Sequence, residues 1–164
     1  MKLEIERKFL VAEPVWRRGI FPCTEIRQGY FSRGEDYSLR VRLQDNKALL
    51  TIKGKPAGIT RREFEYEIPQ AEAEVLLQEF CLHRIIEKTR YFIPWQGFTW
   101  EVDEYHGGNR GLITAEIELP DEHTLFPRPD WLGPEVSNDP RYSNQNLAAN
   151  PMPPGDNRFP RNLP

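Results

Sequence analysis

The sequence predicts a mainly β protein whose antiparallel strands form either a closed barrel with a charged interior or a two-sheet sandwich. Most segments alternate apolar and polar side chains with a period of two, which is typical of strands with one buried face. The polar faces of several strands carry like-signed charges two residues apart, such as Glu4 with Glu6 and Arg40 with Arg42. Residues 70–82 are the one segment with the spacing of an amphipathic helix.

The composition fits a single domain and argues against several other classes of protein. The 164 residues are 38% hydrophobic and 29% charged, with a net charge of −3, whereas a nucleic-acid-binding domain is usually basic. Cys23 and Cys81 are far apart in the sequence, which predicts neither a disulfide framework nor a zinc site. No signal peptide or membrane-spanning apolar run is visible. We therefore expect a cytoplasmic protein with no nucleic-acid or membrane partner.

The first predicted strand, residues 1–11, shows the charged pattern most clearly. Glu4, Glu6 and Lys8 lie on one face, and Leu3, Ile5 and other apolar residues lie mostly on the opposite face. Two strand rises separate the two carboxylates by about 6.5–7 Å. That spacing is close enough for both to bind one hard cation or a pair of cations. A solvated outer face is the simpler alternative explanation for this one strand.

The rest of the chain continues this pattern up to residue 149. Further strands are predicted over residues 25–32, 38–44, 48–54, 61–68, 86–93, 98–105 and 112–119. Pro69 ends one of these strands and begins the predicted helix. A short connector is expected at residues 12–19 and a short helix within residues 140–149. Residues 150–164 contain too little apolar material to fold, so we predict one domain, 1–149, and a mobile tail, 150–164.

The repeated like-signed pairs favour an enclosed charged face over a solvated one. A barrel directs every second side chain inward, where arginines and lysines can bind phosphate oxygens and carboxylates can bind Mg²⁺ or Mn²⁺. The outward apolar faces would then be covered by the helix, the connector and the Trp- and Pro-rich residues 127–142. The alternative is a sandwich whose strands are linked by exposed salt bridges, each of which contributes little.

The ordered set of motifs resembles the CYTH superfamily, whose members are also called triphosphate tunnel metalloenzymes. The set begins with E-x-E-x-K and continues with R-x-R, a single Lys, E-x-E, K-x-R, E-x-D and E-x-E on successive strands. The similarity extends from residue 1 to about residue 149 and includes IERKFLV, EKTRY and EVSNDPRYSNQNLA. The resemblance implies a closed eight-stranded antiparallel β-barrel that forms a charged tunnel, with a few covering helices.

The resemblance also implies roles for individual residues. The cations expected to hold the triphosphate are Lys8, Arg40, Arg42, Lys53, Lys88 and Arg90. The carboxylates expected to bind metal are Glu4, Glu6, Glu63, Glu65, Asp103, Glu116 and Glu118. Glu116 and Glu118 are the first choice for the principal metal, and Glu4 and Glu6 for a second metal or the attacking water. A structural salt bridge is an equal alternative for Glu63, Glu65, Glu101 and Asp103.

Lys8 and Tyr30 are the candidates for further catalytic roles. Lys8 would either contact phosphate or transfer protons, the latter if like-charged neighbours lowered its pKa. Tyr30 would lie beside Lys8 as a phenol–lysine pair that aids attack by water, or it would pack as an ordinary strand aromatic. The residues leave both choices open.

The expected reaction is hydrolysis of inorganic tripolyphosphate to pyrophosphate and phosphate by in-line attack of water, with Mg²⁺ or Mn²⁺ as cofactor. A thiamine triphosphatase or a class IV adenylate cyclase would use the same tunnel and is the alternative within the family. A non-catalytic binder of polyphosphate or nucleotides is less favoured, because an anion binder would not need so many carboxylates. We expect a monomer or a homodimer.

Overall fold

A computed structural model describes residues 1–12, 19–31 and 36–152. Its strands are β1 (Lys2–Val11), β2 (Cys23–Tyr30), β3 (Tyr37–Gln44), β4 (Lys47–Gly54), β5 (Thr60–Ile68), β6 (Ile85–Trp95), β7 (Phe98–Tyr105), β8 (Ile113–Glu118) and β9 (Leu132–Glu135). They are antiparallel and follow the order β5-β4-β3-β2-β6-β7-β8-β1, and β5 pairs again with β1. This pairing closes eight strands into a barrel, which confirms the predicted fold.

The ninth strand, β9, was not predicted from the sequence. The first half of β1 pairs with β5, and its second half pairs with β9, with Phe9 opposite Glu135 and Val11 opposite Leu132. β9 therefore extends the barrel wall where β5 no longer reaches. The strand LGPE contains Gly133 and Pro134 and shows no alternation, so the sequence offers no period-two signal for it.

Two helical segments pack against the barrel strands. The predicted helix is present as α1 (Gln70–Val75), which continues as a π-helical segment over Leu76–Cys81. Near the C-terminus, a 3₁₀ turn (Pro140–Tyr142) precedes α2 (Asn144–Ala149); we call these two elements together the C-terminal cap. A further 3₁₀ turn spans Gly107–Asn109. None of the helices in the described part of the chain is long and apolar enough to cross a membrane.

Much of the apolar core lies outside the barrel, because the strands direct charged side chains inward. The largest outer cluster covers β1, β6, β7 and β8 and contains Phe9, Trp100 and Trp131. The ring centroids of Phe9 and Trp100 are 5.7 Å apart, and those of Trp100 and Trp131 are 5.8 Å apart, both in edge-to-face geometry. A second outer cluster packs Ala73 and Leu77 of the helical segment against β3 and β4. The helix and the C-terminal segment thus cover the barrel as predicted.

One end of the barrel interior is filled by the C-terminal cap. The inward faces of the strands become apolar at this end, with Leu10, Tyr30, Ile86, Tyr105 and Leu112. The cap packs Tyr142, Leu147 and Ala148 into this end. The interior therefore contains a charged chamber that is closed at one end by an apolar plug.

The predicted domain boundary at residue 149 falls close to the last described residue. Met152 is buried among the residues of the plug, and its backbone N–H donates to Oδ1 of Asn109 over 2.8 Å. The packed part of the chain thus extends at least to Met152. The rest of the predicted tail, residues 153–164, and most of the predicted connector, residues 13–18, lie outside the described residues.

Candidate active site

The inward faces of the strands enclose a cavity of about 620 Å³. Most of the predicted site residues line it: Glu4, Glu6, Lys8, Tyr30, Arg40, Arg42, Lys53, Glu63, Glu65, Arg90, Glu101, Glu116 and Glu118. Their side chains point inward because the residues between them along each strand pack outward. The enclosed charged face that the sequence favours is therefore present.

Arginines and carboxylates alternate around this cavity, but one pair of arginines lies opposite one pair of carboxylates. In the ring of eight strands, β3 lies four strands away from β8 in either direction. β3 carries Arg40 and Arg42, which we call the arginine wall. β8 and its neighbour β1 carry Glu116 and Glu6, which we call the carboxylate wall, and Lys8 lies opposite Glu116 in the strand register.

The arginine wall has more positive charge than its own acceptors can satisfy. Burial, together with the charges of Arg40 and Arg90, lowers the pKa of Arg42 to about 9. Nε of Arg42 donates to Oε1 of Gln28 over 2.9 Å, and Nη2 of Arg40 donates to Thr51 over 3.2 Å. Nε of Arg40 is buried without a hydrogen-bond partner in the described part of the chain. Crowded guanidinium groups with unused donors favour an anion at this wall.

The carboxylate wall is crowded with negative charge. Burial, followed by the charge of Glu116, raises the pKa of Glu6 to about 8. Burial also opposes ionisation of Glu116, but Lys8 and Arg90 outweigh it and hold the pKa of Glu116 well below its ordinary value. Oε1 of Glu116 has no hydrogen-bond partner among the residues described. Such carboxylate oxygens are the donors that a hard divalent cation prefers.

The carboxylates do not form a ready-made metal cage. Within residues 1–12, 19–31 and 36–152, no group of three or more His, Cys, Asp or Glu side chains is arranged to hold an ion. Glu116 lies 3.4 Å from Nζ of Lys8 instead. Glu118 pairs with Lys2 at the rim, where both side chains are about half exposed. The donor chemistry fits a divalent cation, provided that the cation displaces some of these ion pairs.

Lys8 is a stable cation in this structure. Burial would lower its pKa, but Glu116 and Glu6 outweigh burial and raise the pKa above the ordinary value. Nζ of Lys8 also donates to the backbone oxygen of Tyr142 over 3.1 Å. The neighbours of Lys8 are thus mainly carboxylates. Arg61 is a like-charged neighbour that acts to lower this pKa, but the carboxylates outweigh it. The surroundings therefore favour a fixed positive charge, and proton transfer by Lys8 stays a prediction.

Glu4 binds two cations at once. Nζ of Lys53 donates to both carboxylate oxygens of Glu4, over 2.6 and 2.8 Å. Nε of Arg61 donates to Oε2 of Glu4 over 3.0 Å. Burial opposes the charge of Glu4, but the two cations outweigh it and lower the pKa of this carboxyl. Lys53 also lies 3.3 Å from Glu63, which gives Glu63 the structural salt bridge considered as an alternative to metal binding.

Lys88 and Asp103 do not reach the cavity. Both side chains are fully buried, and Nζ of Lys88 donates to Oδ2 of Asp103 over 2.6 Å. Burial lowers the pKa of Lys88 to about 7. Arg90, which does line the cavity, donates from Nε and Nη2 to Asp103 over 2.7 and 2.8 Å and also pairs with Glu101. Nζ of Lys88 also lies 3.4 Å from Oδ1 of Asn144 in the C-terminal cap. Binding of phosphate by Lys88 and of metal by Asp103 stays a prediction, and in this structure the two residues pair with each other.

Tyr30 is connected to the arginine wall. Its hydroxyl accepts a hydrogen bond from Nε2 of Gln28 over 3.0 Å, and Gln28 in turn accepts from Arg42. The expected phenol–lysine pair with Lys8 is not among the contacts of the described residues. A catalytic role for Tyr30 therefore remains a prediction without a supporting contact.

Three cavity-associated residues were not identified from the sequence. Arg61 is the second residue of β5 and has the same parity as Glu63 on that strand, so the period-two pattern could have revealed it. Gln28 and Thr51 are neutral, so the pattern of like-signed charge pairs does not include them. Oγ1 of Thr51 donates to Glu65 over 3.1 Å, so Thr51 connects Arg40 to a carboxylate.

Comparison with known proteins identifies close relatives. The CYTH domain family matches residues 2–149. An inorganic triphosphatase from Acetivibrio thermocellus is 49% identical over 154 residues, which cover 92% of this chain and 96% of that protein. A protein of the same name from Nitrosomonas europaea is 37% identical over 150 residues, covering 88% and 96% of the two chains. A crystal structure of an inorganic triphosphatase is 35% identical, with a TM-score of 0.67, and covers 90% of this chain and 95% of that chain.

Proposed function

We propose that this chain, which belongs to the CYTH domain family, is a hydrolase that converts inorganic tripolyphosphate to pyrophosphate and phosphate with a divalent cation. The observation that carries this proposal is the arginine wall facing the carboxylate wall across one closed-ended cavity. A linear triphosphate between the walls would meet guanidinium donors on one side and metal-binding oxygens on the other. The two relatives named inorganic triphosphatase support the choice of substrate.

The cations of the chamber would bind and orient the substrate. Arg40 and Arg42 can each present two parallel N–H donors to a phosphate group, whereas Lys53 acts as a point charge. Lys8 remains protonated beside Glu116, so it would add a fixed positive charge near the oxygens on which negative charge develops. The closed end beyond Tyr142 would limit how far the anion can enter.

The carboxylates would hold the cation and orient the attacking water. Glu6 and Glu116 are the best-placed ligands, with Glu118 at the rim and Glu4 beside Glu6. The bound cation would supply charge neutralisation on the phosphate oxygens. Attack by water in line with the departing pyrophosphate requires no Ser, Cys or His nucleophile. We further infer Mg²⁺ or Mn²⁺, because both ions prefer carboxylate oxygen ligands.

A substrate panel tests the proposal directly. Phosphate release would be measured from tripolyphosphate, thiamine triphosphate and ATP with Mg²⁺ or Mn²⁺, together with formation of cyclic AMP from ATP. We expect the highest kcat/KM with tripolyphosphate and no turnover after removal of the metal with EDTA. Dominant cyclic AMP formation would favour a cyclase, and binding without any release would favour a non-catalytic binder. The cytoplasmic location and the monomeric or homodimeric state remain part of the proposal.

A further inference from the structure

Arg61 lies on the same side of the barrel as Glu4 and Glu6 and projects into the cavity. β5 pairs with the first half of β1, and the register places Arg61 directly opposite Glu4. Nε of Arg61 donates to Glu4 over 3.0 Å, and Nη2 lies 3.9 Å from Oε1 of Glu6. The Arg61 side chain is 28% exposed and lines the cavity. It is therefore a chamber cation that can be reached by a solute.

The contacts of Arg61 leave most of its donors available. A guanidinium group carries five N–H donors, and the described hydrogen bond to Glu4 uses one of them, at Nε. Glu4 is also neutralised by Lys53, which donates to both carboxylate oxygens. Lys53 also lies 3.3 Å from Glu63, so Glu4 and Lys53 keep other charged partners if Arg61 moves away. The unused N–H donors of Arg61 suit a phosphate group.

Arg61 also lies against Glu4 and Glu6, the carboxylates to which a divalent cation would bind. A cation bound by Glu4 and Glu6 would repel the adjacent guanidinium and compete for the same oxygens. The displaced guanidinium is anchored on β5 at the cavity wall, so its nearest new acceptors would be the oxygens of an anion in the chamber. Binding of metal and binding of triphosphate would then be coupled through one side chain.

We propose that Arg61 is a further substrate-binding residue, which holds Glu4 and Glu6 in the metal-free protein and exchanges them for phosphate oxygens when a divalent cation binds. This inference rests on the proposed function for its substrate. It predicts opposite effects of one substitution: loss of Arg61 weakens binding of the anion and strengthens binding of the metal. A residue that merely supported the barrel wall would weaken both.

Titration calorimetry on purified Arg61→Gln tests both effects without turnover. Mn²⁺ alone, and a non-hydrolysable imido analogue of tripolyphosphate in the presence of saturating Mn²⁺, would be titrated separately into wild-type and variant protein. The analogue measures the anion in the metal-bound state, in which Arg61 is expected to contact phosphate. We expect the Kd for the analogue to rise at least tenfold and the Kd for Mn²⁺ to fall severalfold. Arg62→Gln is the matched control, because Arg62 is the next residue of β5 and is exposed on its outer face; both of its Kd values should match the wild type.

Two further measurements keep the outcome interpretable. Arg61→Lys retains the charge but loses the planar fork, so it should keep the wild-type Kd for Mn²⁺ and still bind the analogue more weakly. It replaces Arg61→Gln if circular dichroism shows that the latter is unfolded. Unchanged binding of the analogue with Mn²⁺ present, or weaker binding of Mn²⁺ by Arg61→Gln, would overturn the inference. Wild-type protein that binds tripolyphosphate but releases no phosphate would refute the proposed function and leave this comparison of Kd values valid.

Discussion

Glu116 is the residue on which the proposed chemistry depends most. It lies in the carboxylate wall with only 8% of its side chain exposed, close to Lys8 and Arg90. We expect Glu116→Gln to lower kcat/KM for tripolyphosphate by at least about a hundredfold, because a neutral amide holds a divalent cation only weakly and cannot balance these buried charges. Glu118→Gln, at the exposed rim, should cause a smaller loss. Phosphate-release assays, with circular dichroism as the folding control, would measure the ranking, and equal losses would contradict it.

Glu6 makes the stability of the metal-free protein depend on pH. Burial and the charge of Glu116 raise its pKa from 4.5 to about 8. Between these two values the folded state binds a proton that the unfolded state has lost, so this contribution to the unfolding free energy falls as pH rises. Its slope is at most about 1.4 kcal/mol per pH unit.

The corresponding variant is Glu6→Gln, which resembles the protonated carboxyl at every pH. Urea unfolding in EDTA should show that the variant gains stability relative to the wild type as pH rises from about 5 to about 8. Glu118→Gln, the same substitution at a half-exposed carboxyl of the rim, serves as the control for removal of a carboxylate charge. A constant difference between Glu6→Gln and the wild type across this range would contradict the assignment.

At the level of single residues, the sequence predicted which side chains face inward but not what each one contacts. Period-two alternation is a local property, so it placed Glu4, Glu6 and Lys8 correctly in the interior. The depth of a residue along the barrel depends on the strand register and on the cap, which are not local. For this reason the sequence could not show that Lys88 and Asp103 lie beneath the cap, and their roles in the site stay predictions.

Among the elements, the C-terminal cap contributes most visibly to the shape of the chamber. Leu147 of α2 is fully buried in the plug. We expect Leu147→Ala to lower the unfolding free energy by about 2–4 kcal/mol, through lost burial and a cavity. Leu125→Ala is the control, because Leu125 is 92% exposed and its truncation should change stability by less than about 0.5 kcal/mol. Urea denaturation would measure the unfolding free energy of both variants. Equally small losses for the two substitutions would show that the plug is loosely packed.

The elements themselves were largely predictable, and the exception has a physical cause. The eight barrel strands alternate apolar and polar residues, and the helix at residues 70–82 has apolar residues at helical spacing. Both patterns are long enough to predict the elements. β9 has four residues, one of them Pro134, and exists because the second half of β1 needs a partner. Such a strand is determined by pairing rather than by its own sequence. The π-helical geometry of Leu76–Cys81 likewise has no counterpart in the apolar spacing.

For the whole molecule, the concentration of charge inside and of apolar clusters outside predicts that salt affects binding and folding differently. Added salt screens the attraction between a polyanion and the chamber, since the Debye length falls from about 10 Å at 0.1 M to about 3 Å at 1 M. We expect KM for tripolyphosphate to rise severalfold between about 0.05 and about 0.5 M KCl. The Tm should change little, because the outer clusters are apolar. A flat KM over this range would argue against electrostatic capture of the substrate.

The placement of the outer clusters also bears on how such a barrel can diversify. Each strand carries packing residues on one face and chemical residues on the other, so most inward substitutions leave the outer clusters intact. Substitutions that affect stability and substitutions that affect reactivity therefore fall mostly on opposite faces of the same strands. The two properties can change separately during evolution. A lineage with this architecture can exchange one anionic substrate for another by replacing inward side chains, while the aromatic cluster around Trp100 continues to hold the scaffold together.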